Sequence, residues 1–245
     1  MSKTLLDRAI FEISGTDRYD FLEGLVTNHI APDSPLTYTA LLTPQGKYIA
    51  DFFLLPHGDK ILLDVFESLS ATLIQRLTMY KLRADVTITP SNLNLHRGIT
   101  TPPIGSHADP RHPDMGWRLY SDTPTPPNDV DWDAIRVAHC IPESGIELTS
   151  DTYILEAGFE ALNGVDFKKG CYVGQEIAAR MKHKAELKKG LKTVQIDKAV
   201  PVGTPITSNG KPAGHIFTQS GNQAIAYLRF DRIENMQADG ANVSI

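Results

Sequence analysis

The sequence predicts an α+β protein with a mostly antiparallel sheet, followed by a small all-β barrel at the C-terminal end. Two observations carry this. Up to about residue 186, runs that alternate apolar and polar residues interleave with apolar residues at helical spacing, and hairpin turns lie among them. Beyond it, short alternating runs are separated by turn signals, and helical spacing disappears. The expected bounds are therefore a body over 1–186 and a barrel over 187–245.

Residues 9–13 alternate as a strand, and Ser14-Gly15-Thr16 breaks it. A helix is expected over 17–29, with Phe21, Leu22, Leu25 and Val26 on one face and Thr16 as its cap. Residues 39–43 and 48–55, joined by Pro44-Gln45-Gly46, read as a hairpin. A strand over 61–66 follows, then a helix carrying Leu69, Leu73, Ile74, Leu77 and Tyr80, then a strand around Val86 and Ile88. The stretch 100–127 is rich in Pro, Gly and Asp and is mostly loop, with a short strand over 116–120. Helices are expected over 131–140 and 153–162. The barrel runs are 193–196, 206–207, 213–218, 224–230 and 242–245, with turns at Asn209-Gly210 and Ser220-Gly221-Asn222.

Composition narrows the function. Hydrophobic residues make up 41% of the 245, which allows a real core. A net charge of −5 argues against a broad grip on DNA or directly on tRNA, because that needs many cations facing phosphates. No stretch approaches the roughly 20 apolar residues of a membrane span. The first residues do not read as a signal peptide, since Asp7, Arg8 and Glu12 interrupt the apolar run. Two cysteines, Cys140 and Cys171, are too few for a disulfide framework or for one chain to hold an iron–sulfur cluster through thiolates alone. The expectation is a soluble, cytoplasmic monomer with reduced thiols. The eight histidines show no metal-ligand spacing, so no intrinsic metal is expected, and neither a phosphate-binding loop nor a nucleophile elbow occurs.

The informative stretch is 165–191. Gly170 and Gly174 bracket Cys171, which suits a tight turn and a close backbone approach. A helix is expected over 175–183, so Cys171 precedes a helix N-terminus and follows Lys168 and Lys169, both of which favour thiolate. A buried, inert thiol is the competing reading. From Lys168 to Lys192 there are eight Lys or Arg and two Glu, a net of +6, which against the whole-chain −5 leaves −11 elsewhere. Such a patch suits a small polyanion, although a merely solvated helix face would look the same.

The run Lys169-Gly170-Cys171-Tyr172-Val173-Gly174-Gln175-Glu176 resembles the K-G-C-Y-x-G-Q-E signature of the YgfZ family, whose mitochondrial members assist iron–sulfur assembly. The stretches 21–30, 41–52, 80–88, 109–118 and 141–148 resemble the family's landmarks in order, and Leu155-Glu156-Ala157-Gly158 resembles an element of the glycine-cleavage T-protein, to which the family is similar. The resemblance implies a T-protein-like fold of two ferredoxin-like α+β units and a C-terminal β-barrel around a folate pocket. It implies tetrahydrofolate or a derivative as cofactor, and iron–sulfur assembly proteins or client enzymes as partners. It makes Cys171 the catalytic candidate. Asn28, Asp51, Lys169, Tyr172, Gln175, Glu176 and Arg180 are the cofactor-binding candidates, with Tyr172 either stacked on a pterin or in the core. The family often places Arg-Gly where this chain has Lys184-Ala185, and a Lys keeps the charge but loses the bidentate fork. Two other functions stay open: one-carbon transfer like that of an aminomethyltransferase, and a tRNA-modification role exerted indirectly through iron–sulfur enzymes.

Overall fold

A computed structural model describes residues 8–125, 129–183 and 187–245. The chain divides into two compact units, each discontinuous in sequence. One comprises Met1–Val130 and Glu160–Glu176, the other Asp131–Phe159 and Ile177–Ile245. Lys184 and Ala185 lie outside the described residues.

In the first unit, β1 (Arg8–Ser14), β2 (Thr37–Leu42), β3 (Tyr48–His57), β4 (Lys60–Phe66) and β5 (Thr87–Pro90) form an antiparallel sheet in the order β2-β3-β4-β1-β5. The strand alternation puts Ile13, Phe52, Leu54, Ile61 and Leu63 into one core. Helix α1 (Arg18–Glu23) adds Leu22 to that core and α2 (Glu67–Lys81) adds Leu73 and Leu77. A second sheet, β6 (Asn94–Gly98), β7 (His107–Ala108) and β8 (Trp117–Ser121), runs in the order β6-β8-β7. Gly116 enters β8 at φ 63°, where a Cβ would lie 2.0 Å from the Gly98 carbonyl oxygen, so only glycine fits.

Helix α1 is shorter than its apolar spacing suggests, and Asp17 rather than Thr16 stands at its N-cap position, without a side-chain cap bond. After Glu23 the chain leaves the helix to cover the edge of β2: Val26 bridges Leu41, and the Thr27 N–H donates to the Ala40 carbonyl at 3.0 Å. Pairing with an otherwise open sheet edge overrides the local helical tendency.

In the second unit, α3 (Trp132–His139) is capped by the Asp131 side chain, which accepts from the Ala134 N–H at 2.9 Å. Strands β9 (Lys189–Ile196), β10 (Pro205–Ser208), β11 (Lys211–Ser220), β12 (Gln223–Arg229), β13 (Met236–Ala238) and β14 (Ala241–Ser244) close a barrel in the order β10-β11-β12-β9-β14-β13. Val194, Ile206, Ile216, Ala226, Leu228 and Val243 fill it. Strand β13, too short to show alternation, is absent from the sequence reading. The helix expected over 153–162 is instead a series of turns. Gly158 sits at φ 78°, and its N–H reaches the Leu155 carbonyl, not a residue four back. Helix α4 (Gln175–His183) forms where the sequence predicts it.

Candidate functional site

The signature forms a turn that is fixed at both ends within the first unit. At its start, the Lys169 side chain is fully covered. Its ammonium donates to the carbonyls of Glu23 at 2.9 Å, Val26 at 2.7 Å and Asn28 at 3.1 Å, and lies 3.6 Å from the Glu23 carboxylate. Glu23 ends α1, where a helix leaves its last carbonyls without partners, and Val26 and Asn28 lie in the segment after it; one ammonium serves all three. Burial lowers the Lys169 pKa, and the Glu23 carboxylate opposes that shift.

At the other end, Gly174 adopts φ 83°, and a Cβ there would meet the Thr43 carbonyl oxygen at 2.6 Å. The turn is pressed against the β2–β3 connection, and α4 starts at the next residue. Gly170 has neither constraint: its φ is not positive, and a Cβ there would meet nothing within 4 Å among the described residues. Of the two bracketing glycines, then, only Gly174 is demanded by a close approach.

Between these pins the Cys171 thiol is exposed. The next residue, Tyr172, is 6% exposed and belongs to the interior. The Lys169 ammonium lies 5.4 Å from its ring centroid. Its hydroxyl is buried without a hydrogen-bond partner among the described residues, and burial, reinforced by Asp166, pushes its pKa up to about 12. The Gln175 amide reaches back to the Gly170 carbonyl at 3.5 Å. Glu176 and Arg180 are exposed on α4.

Asn28 and Asp51 join this turn through a connected path. The Asn28 amide nitrogen donates to the Tyr38 carbonyl at 3.0 Å and the Asn163 carbonyl at 2.7 Å, while its oxygen accepts from the His29 N–H at 2.9 Å. The Tyr38 hydroxyl donates to the buried Asp51 carboxylate at 3.0 Å, and the Tyr48 hydroxyl does so at 2.6 Å. Burial and the Asp51 charge push Tyr38 well up, so the phenol stays a donor. Lys169, Asn28 and Asp51 are thus all occupied by internal partners.

Next to this path lies an ionic cluster that sequence reasoning missed. Arg111 grips Asp109 with two hydrogen bonds, at 2.9 and 2.7 Å, and lies over the Tyr38 and Phe53 rings. Arg118 bridges Asp109 and Asp64, and Arg8 reaches Asp64 at 2.6 Å. Burial alone would raise the Asp64 pKa, but Arg8 and Arg118 hold it down at about 2. The stretch 109–118 stood out in the sequence only as a landmark; nothing in it marks partners more than fifty residues away.

The first unit carries a pinned cysteine turn, the second a closed barrel, and the fold is T-protein-like. Residues 188–245 match the family model described as the CAF17 C-terminal beta-barrel domain. Among curated proteins, the mouse mitochondrial iron–sulfur cluster assembly factor IBA57 is 29% identical over 93% of this chain and 77% of its own length. The human protein of that name is 27% identical over 97% and 81%. A Neurospora crassa homolog is 31% identical over 76% of the chain and 51% of its own length. The solved aminomethyltransferase T of the glycine cleavage system from Bartonella henselae superposes with a TM-score of 0.72, covering 98% of this chain and 82% of that one at 12% identity, a likeness of fold. Over most of its length the chain is thus similar to the IBA57 assembly factors, and over its barrel to the CAF17 family model, the group to which the YgfZ-like signature points.

These relatives overturn the cytoplasmic expectation, because the mouse, human and Neurospora proteins are mitochondrial. The inference failed for a physical reason. Compartment is set by receptor-read address segments, whereas charge, core and cysteine count describe only the folded body.

Proposed function

We propose that this chain is a folate-binding accessory protein for iron–sulfur cluster assembly, with Cys171 as its working thiol. The observation that carries this is the exposed Cys171 on a turn fixed by Lys169 and Gly174. A thiolate is a soft ligand for iron, and a fixed turn presents it without ordering cost at the moment of contact. One thiolate cannot complete a cluster's ligand set, so assembly partners or client proteins supply the others, and the cluster is cargo.

Tetrahydrofolate is the proposed ligand of the α+β body. The buried Tyr172 hydroxyl is a polar group that still wants a partner, which a pterin's polar edge provides. Gln175, Glu176 and Arg180, along α4, add an amide, a carboxylate and a guanidinium, and the basic stretch 168–192 suits a polyglutamate tail. The two phenols on Asp51 weigh against a one-carbon transferase, since both hydrogen-bond its carboxylate and hold it to internal partners. An influence on tRNA modification follows indirectly, through iron–sulfur client enzymes.

The deciding experiment is a deletion strain carrying wild-type or Cys171→Ser protein, assayed in parallel for iron–sulfur enzymes and glycine cleavage. Loss of the former with the latter intact supports the proposal. Full complementation by the serine variant overturns the role of the thiol.

A further inference from the structure

We propose that the turn closing α2 is a docking surface for an acidic partner protein, which seats an apolar side chain against Leu82 and Met79. The Ala84 N–H donates to the Lys81 carbonyl at 2.8 Å, closing a four-residue turn with Leu82 in its second position. Leu82 has φ 45° and ψ −105°, near the values that belong to glycine in a type II′ turn. A Cβ is unfavourable there, and a branched side chain more so. The side chain is also 88% exposed, so it adds nothing to the core. The fold would be served better by glycine; what leucine supplies is an apolar group held out into solvent.

The surroundings select the partner. Met79 lies three residues earlier in α2 and is 60% exposed. Arg76 and Arg83 are exposed on the same segment and make no ion pair among the described residues. From 67 to 85 the cations Arg76, Lys81 and Arg83 outnumber the acids Glu67 and Asp85, and Asp85 is answered by Lys81, so Arg76 and Arg83 carry the positive charge of the patch, on a chain whose net charge is −5. A mixed apolar and cationic patch on an acidic protein is complementary to an acidic surface bearing an apolar residue. A second copy docking through the same patch would set Arg76 and Arg83 against their own equivalents, which opposes a symmetric dimer here.

The test uses the full chain and a fluorescent helical peptide of Glu-Glu-Leu-Leu repeats, with Lys-Lys-Leu-Leu repeats and poly-L-glutamate as comparisons. The basic stretch 168–192 also attracts polyanions, so the quantity read is the Leu82-dependent part of the anisotropy titration. Leu82→Gly should unfold at the same or a higher temperature, because glycine relieves the backbone, yet bind the Glu/Leu peptide about tenfold more weakly, the scale of one lost leucine contact. Arg76→Glu/Arg83→Glu should weaken it further and improve the Lys/Leu peptide. Poly-L-glutamate should not distinguish wild type from Leu82→Gly. Unchanged Glu/Leu affinity in Leu82→Gly overturns the proposal. So does a large loss of stability in that variant, which would make Leu82 structural. Wild-type dimerisation that Leu82→Gly abolishes, seen by sedimentation, also overturns it in favour of a second copy.

Discussion

The ammonium of Lys169 lies 2.7 Å from the carbonyl oxygen of Val26, a contact between residues 143 apart in the chain that ties the cysteine turn to the end of α1. The sequence places Lys169 beside Cys171, where it reads as an electrostatic aid to the thiol or as a ligand group. In the fold it serves as a latch.

Lys169→Met should therefore destabilise the protein by about 2–4 kcal/mol, since three carbonyls lose a charged donor in a buried place. Arginine should not restore the loss, because the slot is fully covered and shaped for a single nitrogen. Urea unfolding of both variants checks this. Stability within about 0.5 kcal/mol of wild type for Lys169→Met would remove the latch.

The two signature glycines should behave differently. Gly174→Ala places a Cβ 2.6 Å from the Thr43 carbonyl oxygen at a left-handed φ, and should cost about 2 kcal/mol or more. Gly170→Ala meets open space and should change stability by no more than about 0.5 kcal/mol. Chemical denaturation of the pair measures the contrast, and equal costs would contradict the geometry.

Acid stability should depend on Asp64. Its folded pKa is about 2, against an ordinary 3.8, so the unfolded chain takes up the proton first as pH falls. The stability it contributes is complete above about pH 4 and is lost as pH drops from there toward 2, an amount of about 2 kcal/mol. Asp109, held down more strongly by Arg111 and Arg118 despite its burial, acts in the same direction. Asp64→Asn should be less stable at neutral pH and should show a shallower decline between pH 4 and 2. An acid profile parallel to wild type would show that the cluster does not set it.

Which of these features the sequence discloses follows from the range of the interactions. The two apolar runs of the hairpin, the Pro44-Gln45-Gly46 turn between them and the α4 pattern are local, and they reappear in β2, β3 and α4. The Cys171 turn is legible because its residues are contiguous. Lys169 to Asn28, Arg118 to Asp64 and the early end of α1 depend on partners brought together only by folding, and no spacing rule reports them. Tyr172 shows the same limit. Its place in the signature is visible, but whether its ring lies open or buried is set by the packing around it.

Tyr172→Phe separates ligand binding from folding. It removes a buried hydroxyl that has no partner among the described residues, so the ligand-free protein should unfold at the same or a higher temperature. If tetrahydrofolate uses that hydroxyl, the stabilisation it gives wild type, about 2.7 kcal/mol at a hundredfold excess over the dissociation constant, should shrink in the variant. Equal stabilisation of both proteins would exclude the hydroxyl as a contact; none in wild type would count against the folate site itself.

The two cysteines should differ in both chemistry and biology. Cys140 closes α3 in a left-handed conformation and is half-buried; burial, partly offset by a hydrogen bond with Thr193, pushes its thiol up to about 11. Little thiolate is then present at neutral pH, and alkylation there should be slow. Cys171 is exposed on its fixed turn, so iodoacetamide should label it first, as mass spectrometry of the modified peptides would record. Serine is nearly isosteric with cysteine, so Cys171→Ser should fold normally and lose iron–sulfur enzyme support, because only the soft, ionisable sulfur has gone. Cys140→Ser should restore that support fully. Faster labelling of Cys140, or a complementation pattern with the two variants exchanged, would move the working thiol from the signature turn to the end of α3.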